Sequence, residues 1–511
     1  MKLVCLSLAF LVLTIGLTVA ALAGEATMIA PLSEDAQNQT LPVTTPSTAA
    51  ARYFENGMVH YENHRWNLAL NDWHEAVRLD PNFALAYTWI CLTTADPTEE
   101  KDDRALAKAT MKDASLGEQL MVRWMAGIHE NNYVEGISAM NDLLAMYPHD
   151  KRLNFLIAYW LYRQDEYDLS EKLALKALAE DPNYATAYNQ MAYLYSRRAE
   201  YDKALQAAAK YVALLPNEPN PHDSYGEMLR LSGRFDQALE QYRLALKMDP
   251  TFYISQKELG ETYAIMGDGP KARAEYAKAI HDAPGNGVKA EYLQKSAMTW
   301  VRDKQYEQAD DAYLDAAEKA HVMQQWIWEA RAYRIMGMYE PDHASAMKHL
   351  QQAEAVLASK AGIVAQSDVD EEQARIWRVR AERAVAVGDL ATAQKSVDQL
   401  AKMASSGGSV SIDRTYQGAE GTLLLAQKKY LDAVPHLEED FANPVSMKLL
   451  VAAYQNVPVK RRSPKDKDKD NYKEKATALS NKLAAWKIPS IEEALVVPGF
   501  RAQETPVASQ K

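Results

Sequence analysis

Residues 249–284 read DPTFYISQKELGETYAIMGDGPKARAEYAKAIHDAP, and two features of this stretch set the fold. The first is the distance between its prolines. Pro250 and Pro284 are 34 residues apart, and the same interval links Pro148, Pro182, Pro216 and Pro250. Only 21 prolines occur in 511 residues, so five on one metre mark an internal repeat. The second is helical spacing. Leu259, Gly260 and Tyr263 share one face, Ala272, Tyr276 and Ala279 share the next, and Gly267-Asp268-Gly269 turns the chain between them. Each unit can be numbered so that its proline is position 32. Position 8 is then Ala158, Ala192, Gly226 and Gly260, and position 20 is Ser170, Ala204, Ala238 and Ala272. Position 24 is Ala174, Ala208, Tyr242 and Tyr276, and position 27 is Ala177, Tyr211, Ala245 and Ala279. Small side chains let two helices approach closely, while Leu or Tyr at 7, 11 and 24 fill the remaining space. Proline ends the second helix, because it breaks the hydrogen-bond ladder and moves the preceding residue away from helical angles. Asp181-Pro182-Asn183 and Asp249-Pro250-Thr251 then lead into the following helix. The expected unit is an antiparallel helix pair.

Composition agrees. Glycine and proline number 21 each, fewer than average usage gives, while roughly one residue in six is alanine, the best helix former. Apolar residues are 48% and charged residues 25%, which excludes wholesale disorder. The net charge of −12 argues against nucleic acid or an anionic membrane surface as the main partner. Of two cysteines, Cys5 falls in the N-terminal apolar run and Cys91 sits among Trp89, Ile90 and Leu92, where it reads as a small buried hydrophobe.

A length of 34, small residues at 8, 20 and 27, an aromatic at 24 and proline at 32 resemble the tetratricopeptide repeat. The resemblance implies an all-α fold, a right-handed superhelical solenoid of antiparallel helix pairs. It is best over residues 151–284 and weakens both ways. Upstream, Gly57, Ala69, Trp73, Ala76 and Pro81 fit one unit. A distorted pair of units lies between Pro81 and Pro148, with Asp96-Pro-Thr-Glu-Glu expected in an irregular loop. Downstream, Ala297, Trp300, Ala309, Tyr313 and Ala316 form a lengthened unit. Weaker ones centre on Ala346, Leu350 and Ala353, on Ala381, Leu390 and Ala393, and on Gly421, Leu424, Tyr430 and Ala433. Eleven or twelve pairs are therefore expected, each relying on its neighbours to bury its apolar face. The array divides into a central part, 50–289, and a divergent part, 290–456.

The ends read differently. Met1-Lys2, the uncharged run Leu3–Leu22 and the Ala21-Leu22-Ala23 site form a secretory signal peptide, residues 1–23. The protein is accordingly expected to be exported, periplasmic or secreted, with membrane contact only if that segment stays uncleaved. Residues 24–49, rich in Thr, Pro and Ser, read as a disordered linker. Residues 457–470 alternate charge and read as a solvated linker, 471–487 as a last helix, and 488–511 as an irregular tail.

The search for chemistry returns no catalytic residue. No phosphate-binding glycine loop and no nucleophile elbow occur. His60 and His64 stand one turn apart with Glu62 between them, but Tyr61 occupies the place where a zincin carries glutamate. A solvated helix face accounts for them, and neither metal nor cofactor is expected. What the resemblance offers is a groove, lined by positions 2, 5, 9, 12 and 13 of each first helix. The candidates there are Arg152, Tyr159, Tyr162, Arg163, Asn189, Tyr193, Arg197, Arg230 and Lys257, interspersed with Asp223, Glu227 and Glu261. Tyrosine and arginine carry much of the binding energy at interfaces, since they bury large area and keep a polar end. The carboxylate clamp of some relatives, with Lys at 5 and Asn at 9, is not reproduced by Phe155 and Tyr159 or by Asn189 and Tyr193. The resulting expectation is a non-catalytic scaffold of the cell envelope or extracellular space holding a protein or peptide. The alternative is a glycan- or polymer-associated factor using the groove tyrosines.

Overall fold

The computed structural model describes residues 40–496 apart from 95, 284, 361, 407–408 and 458–471. The signal peptide, residues 24–39 of the linker, Pro284, residues 458–470 of the charged stretch and the tail from 497 lie outside the described residues. Among the described residues there are 25 α-helices and no strand. Twelve antiparallel pairs follow one another: α1 Thr48–Glu62 with α2 Trp66–Leu79, α3 Ala84–Thr93 with α4 Pro97–Thr110, and α5 Leu116–His129 with α6 Tyr133–Met146. Next come α7 Lys151–Arg163 with α8 Tyr167–Glu180, α9 Ala185–Arg197 with α10 Tyr201–Leu214, α11 Pro219–Leu231 with α12 Phe235–Met248, and α13 Tyr253–Met266 with α14 Gly269–Asp282. The divergent half continues the pattern with α15 Asn286–Arg302 and α16 Tyr306–Val322, α17 Trp326–Tyr339 and α18 His343–Ser359, and α19 Gln366–Ala386 and α20 Leu390–Ser405. It ends with α21 Val410–Ala426 and α22 Tyr430–Glu439, α23 Pro444–Asn456 and α24 Tyr472–Ala484, and a short α25 Ile491–Val496.

The pairing inside each unit rests on matched volumes. Positions 8 and 24, sixteen residues apart, face each other. A methyl group added at Gly226 would come within 2.7 Å of the Tyr242 ring, one at Gly260 within 3.1 Å of Tyr276, and one at Gly421 within 2.6 Å of Leu437. Where position 24 is small, position 8 carries a side chain: Ala158 lies with Ala174, and Ala192 with Ala208, all fully buried. Close packing at constant volume thus holds through unlike sequences. The turn inside a pair also keeps time, with left-handed residues at Asn131, Asp165, Ala199, Gly233 and Gly267 in steps of 34. Between pairs, the Asp of each Asp-Pro step accepts from the amide two residues on, Asn82 to Asp80 at 3.1 Å, Asn183 to Asp181 at 2.9 Å and Thr251 to Asp249 at 3.0 Å.

Along most of the stack the first helices of successive pairs touch one another, while second helices pack between their own first helix and the next. First helices are therefore the inner layer of a curved stack. The curve comes round on itself: α5 meets α19, Asn131 Nδ2 donates to Asp370 at 2.8 Å, Arg414 pairs with Asp165, and Lys101 donates to the carbonyl of Gly362. Pair three thus touches pair ten.

Four local expectations are corrected. Asp96-Pro97 opens α4 instead of lying in a loop, because the Asp96 carboxylate caps the amides of Thr98 and Glu99 at 2.8 and 3.2 Å and proline suits the first helical turn. Residues 40–47 of the linker are held in place: the Leu41 amide donates to Asp150 at 2.8 Å, the Thr44 amide to Glu118 at 2.7 Å, and Ser47 caps α1. Residues 491–496 of the tail form α25. His64 stands in a left-handed turn beyond the end of α1, so it does not share a solvated helix face with His60. Cys91 is buried, as its apolar neighbours imply. Among the described residues no helix is long and apolar enough to cross a membrane.

Candidate functional site

The inner face carries polar side chains in a continuous row, and the chain itself engages much of it. At one end the first pair lies across the starts of α7 and α9. Arg152 donates to both Glu55 oxygens at 2.7 and 2.8 Å and to Glu62 at 2.9 Å. Glu62 also receives Tyr184 at 2.8 Å, and its main-chain carbonyl receives Thr186 at 2.6 Å. Asn189 Nδ2 meets His64 Nε2 at 3.1 Å, and burial holds that imidazole down at about 4, so it is neutral near pH 7. Arg65, in the same turn, reaches Glu218 at 3.1 Å and Asp249 at 3.5 Å.

In the middle the face is open. Arg163 and Arg197 are exposed at the ends of α7 and α9. Arg197 Nε donates to the Tyr162 hydroxyl at 2.9 Å with its guanidinium 5.8 Å from the ring centre. Arg163 leans on the phenol of half-buried Tyr159, which favours its charge. Tyr193 donates to Glu227 at 2.7 Å.

Further along, α11, α13 and α15 enclose a buried ionic cluster. Arg230, 2% exposed, contacts Glu258 at 3.1 Å, Glu227 at 3.3 Å and Glu261 at 3.5 Å. Lys257 pairs with Glu258 and lies 3.6 Å from Glu261, and Lys295 reaches Glu261 at 2.7 Å. Burial pushes the Asp223 carboxyl well up, with the nearby Glu258 adding to the effect, and Ser255 donates to it at 2.6 Å. Burial also pushes Glu261 upward, but Lys257, Lys295 and Arg230 outweigh it and hold that carboxyl ionised. A second cluster follows: Arg334 on Glu372 at 2.6 Å, with Arg331 and Arg375 each at 3.6 Å.

The nine sequence candidates lie on the first helices α7, α9, α11 and α13, in different states. Arg152, Asn189, Arg230 and Lys257 are taken up inside the chain, whereas Tyr162, Arg163 and Arg197 form one open patch with Tyr159 and Tyr193 at its margins. The partners Glu55, Glu62 and His64 were beyond sequence reasoning, since nothing local reports a contact across 90 to 125 positions. A group able to hold a metal ion was also missed. His74, Glu99 and Asp103 bring ligand atoms within 4.8 Å of one another. His74 Nε2 already lies 2.9 Å from Glu99, and burial together with Glu99 raises Asp103 to about 6.

Comparison with known proteins adds the following. A tetratricopeptide repeat profile matches residues 173–206, and a second matches 130–185 and 230–287. No curated protein matches the sequence. Among solved structures, the APC/C hetero-tetramer Cut9-Hcn1 is similar at 16% identity and a TM-score of 0.42, covering 81% of this chain and 78% of that one. YrrB, a TPR protein with an unusual peptide-binding site, is 19% identical with a TM-score of 0.25, over 42% of this chain and 98% of its own. MamA from Desulfovibrio magneticus RS-1 is 15% identical with a TM-score of 0.28, over 33% and 95%.

Proposed function

We propose that this array, with tetratricopeptide repeats at its centre, is a non-catalytic scaffold that holds a protein or peptide against its inner face, and that its leader sends it to the periplasm or out of the cell. The observation that carries the reading is the open patch of Tyr162, Arg163 and Arg197, set in a face whose other cations are already neutralised. An arginine stacked on tyrosine is pre-organised to meet carboxylates or main-chain carbonyls with little further loss of side-chain freedom. The glycan alternative draws no support from these contacts, because Tyr162 and Tyr193 are half-buried and commit their hydroxyls to Arg197 and Glu227.

The test is capture from the native envelope by crosslinking, with wild type beside an Arg163→Glu/Arg197→Glu double variant. Both sites are exposed, so melting should shift by no more than about 0.5 kcal/mol in stability. Partner recovery should fall about tenfold or more, since hot-spot arginines are worth about 2 kcal/mol each. Undiminished recovery would remove this patch from the binding surface.

A further inference from the structure

Beyond α24 the chain does not continue the stack. It turns back onto the inner face. Trp486 Nε1 closes a turn on the carbonyl of Ile488 at 2.8 Å. Arg230 Nη1 donates to the main-chain carbonyl of Lys487 at 3.0 Å, across 257 positions. The Lys487 ammonium lies 5.6 Å from the ring centre of Phe235. Ile488 packs on the large apolar core. Ser490 then caps α25, accepting from Glu493 at 3.0 Å. The short helix lies between α15 and α23, which touch it from either side. Ile491, 8% exposed, joins Ala297, Met298 and Val301, with Ala494 and Leu495 packed beside it. Glu493, 3% exposed, meets Arg302 at 3.3 Å, and Glu492 is within electrostatic reach of Arg375 on α19.

This has the anatomy of a bound peptide. A buried arginine grips main chain without regard to sequence. Apolar residues three and four apart pack into the core of pair eight, and a carboxylate meets a guanidinium. The elements contacted belong to pairs six, eight and twelve, so the segment crosses the stack instead of extending it. A six-residue helix has no stability of its own and is ordered only by what it touches. Among the described residues Arg230 Nε is moreover buried with no hydrogen-bond partner, a donor that the present occupant leaves unused.

We propose that Lys487–Val496 is a tethered ligand of the inner face, and that the partner presents a short acidic helix of the same chemistry, apolar at i, i+3 and i+4 with a carboxylate at i+2, which takes its place. The proposal rests on the scaffold reading above and deepens it by naming the partner class. Tethering gives the segment an effective concentration in the millimolar range, so a partner displaces it at micromolar concentration only if it binds about a thousandfold more tightly than the segment does, or binds at the open patch as well.

The experiment uses the full chain and a labelled synthetic peptide of residues 485–496, AWKIPSIEEALV. An Ile491→Asp/Glu493→Lys chain, in which the tether is spoiled, should bind the peptide at least about tenfold tighter than wild type does. A peptide carrying Glu493→Lys should bind that chain about tenfold more weakly than the native peptide. Equal, weak binding of the native peptide to both chains would overturn the proposal. Should the variant not fold, hydrogen exchange on wild type decides. Amides 488–496 should exchange by local opening ahead of those of α15, and faster still with excess peptide. Exchange locked to that of α15 and indifferent to peptide would make the segment a fixed cap and sink the idea. The two readings fail separately. An Arg163→Glu/Arg197→Glu chain that keeps its partner leaves the tethered ligand standing, and loss of peptide binding with partner capture intact leaves the scaffold standing.

Discussion

Ala199 turns the chain between α9 and α10 with a φ of 59°, a left-handed angle that suits glycine and costs an L side chain roughly 1 kcal/mol. Its counterparts one and two repeats later, Gly233 and Gly267, avoid that cost. Ala199→Gly should therefore raise stability by about 0.5–1 kcal/mol, the relief of strain exceeding the added freedom of the unfolded chain, as urea unfolding would show. A lower midpoint would mean the strain is not there. Asp165, one repeat earlier, has the same backbone but uses its carboxylate on Tyr167 and Arg414, so the same substitution there should destabilise. Of this left-handed series only Gly267 is read as a turn from the sequence; Gly233 carries the same signal, whereas Ala199 conceals the angle. The small and aromatic positions behaved otherwise: Gly226 with Tyr242 and Gly260 with Tyr276 were readable as close contacts because volume is written directly in residue type.

Helices α4 and α5 meet over a buried carboxyl. Burial lifts Glu100 to about 7, even with Arg104 at 2.8 Å, while burial lowers its neighbour His129 to about 4. An acid raised on folding adds stability below its unfolded value of 4.5 and loses it as pH climbs through about 7. A base lowered on folding does the reverse, becoming less costly as pH rises from about 4 to 6.5. With His129 Nδ1 3.2 Å from Glu100, the two slopes oppose each other and largely cancel. Glu100→Gln removes one of them. Measured against wild type, the variant should gain on the order of 2–3 kcal/mol between pH 4.5 and 7, read from melting curves across that range. A constant difference across the range would refute the raised carboxyl. At this scale the helices themselves were legible, since periodicity is local. Their docking was not. The seat of α1 on α7 and α9 depends on Glu62 finding Arg152, Tyr184 and Thr186, and that is why Arg152 read as a free groove cation. Arg230 misled in the same way, its partners lying on α13 and in the C-terminal segment.

Across the whole molecule the curved stack closes where pair three meets pair ten, through Asn131 with Asp370, and one pair further on through Asp165 with Arg414. Ion pairs and hydrogen bonds near the surface are individually weak, but these sit where a small opening is multiplied along the array. Asp370→Lys with Arg414→Glu should enlarge the radius of gyration in small-angle scattering while leaving helix content by circular dichroism unchanged. An unaltered radius would place the closure elsewhere. The seat of the first pair has a consequence for how such a chain is built. Simple arrays can be laid down from either end, each hairpin settling on the last. Here Arg65 closes on Glu218 and Asp249, so the opening hairpin has no finished berth until about half of the polypeptide has emerged. Synthesis and assembly therefore run in different orders: a hairpin made early waits for partners encoded half-way along the chain.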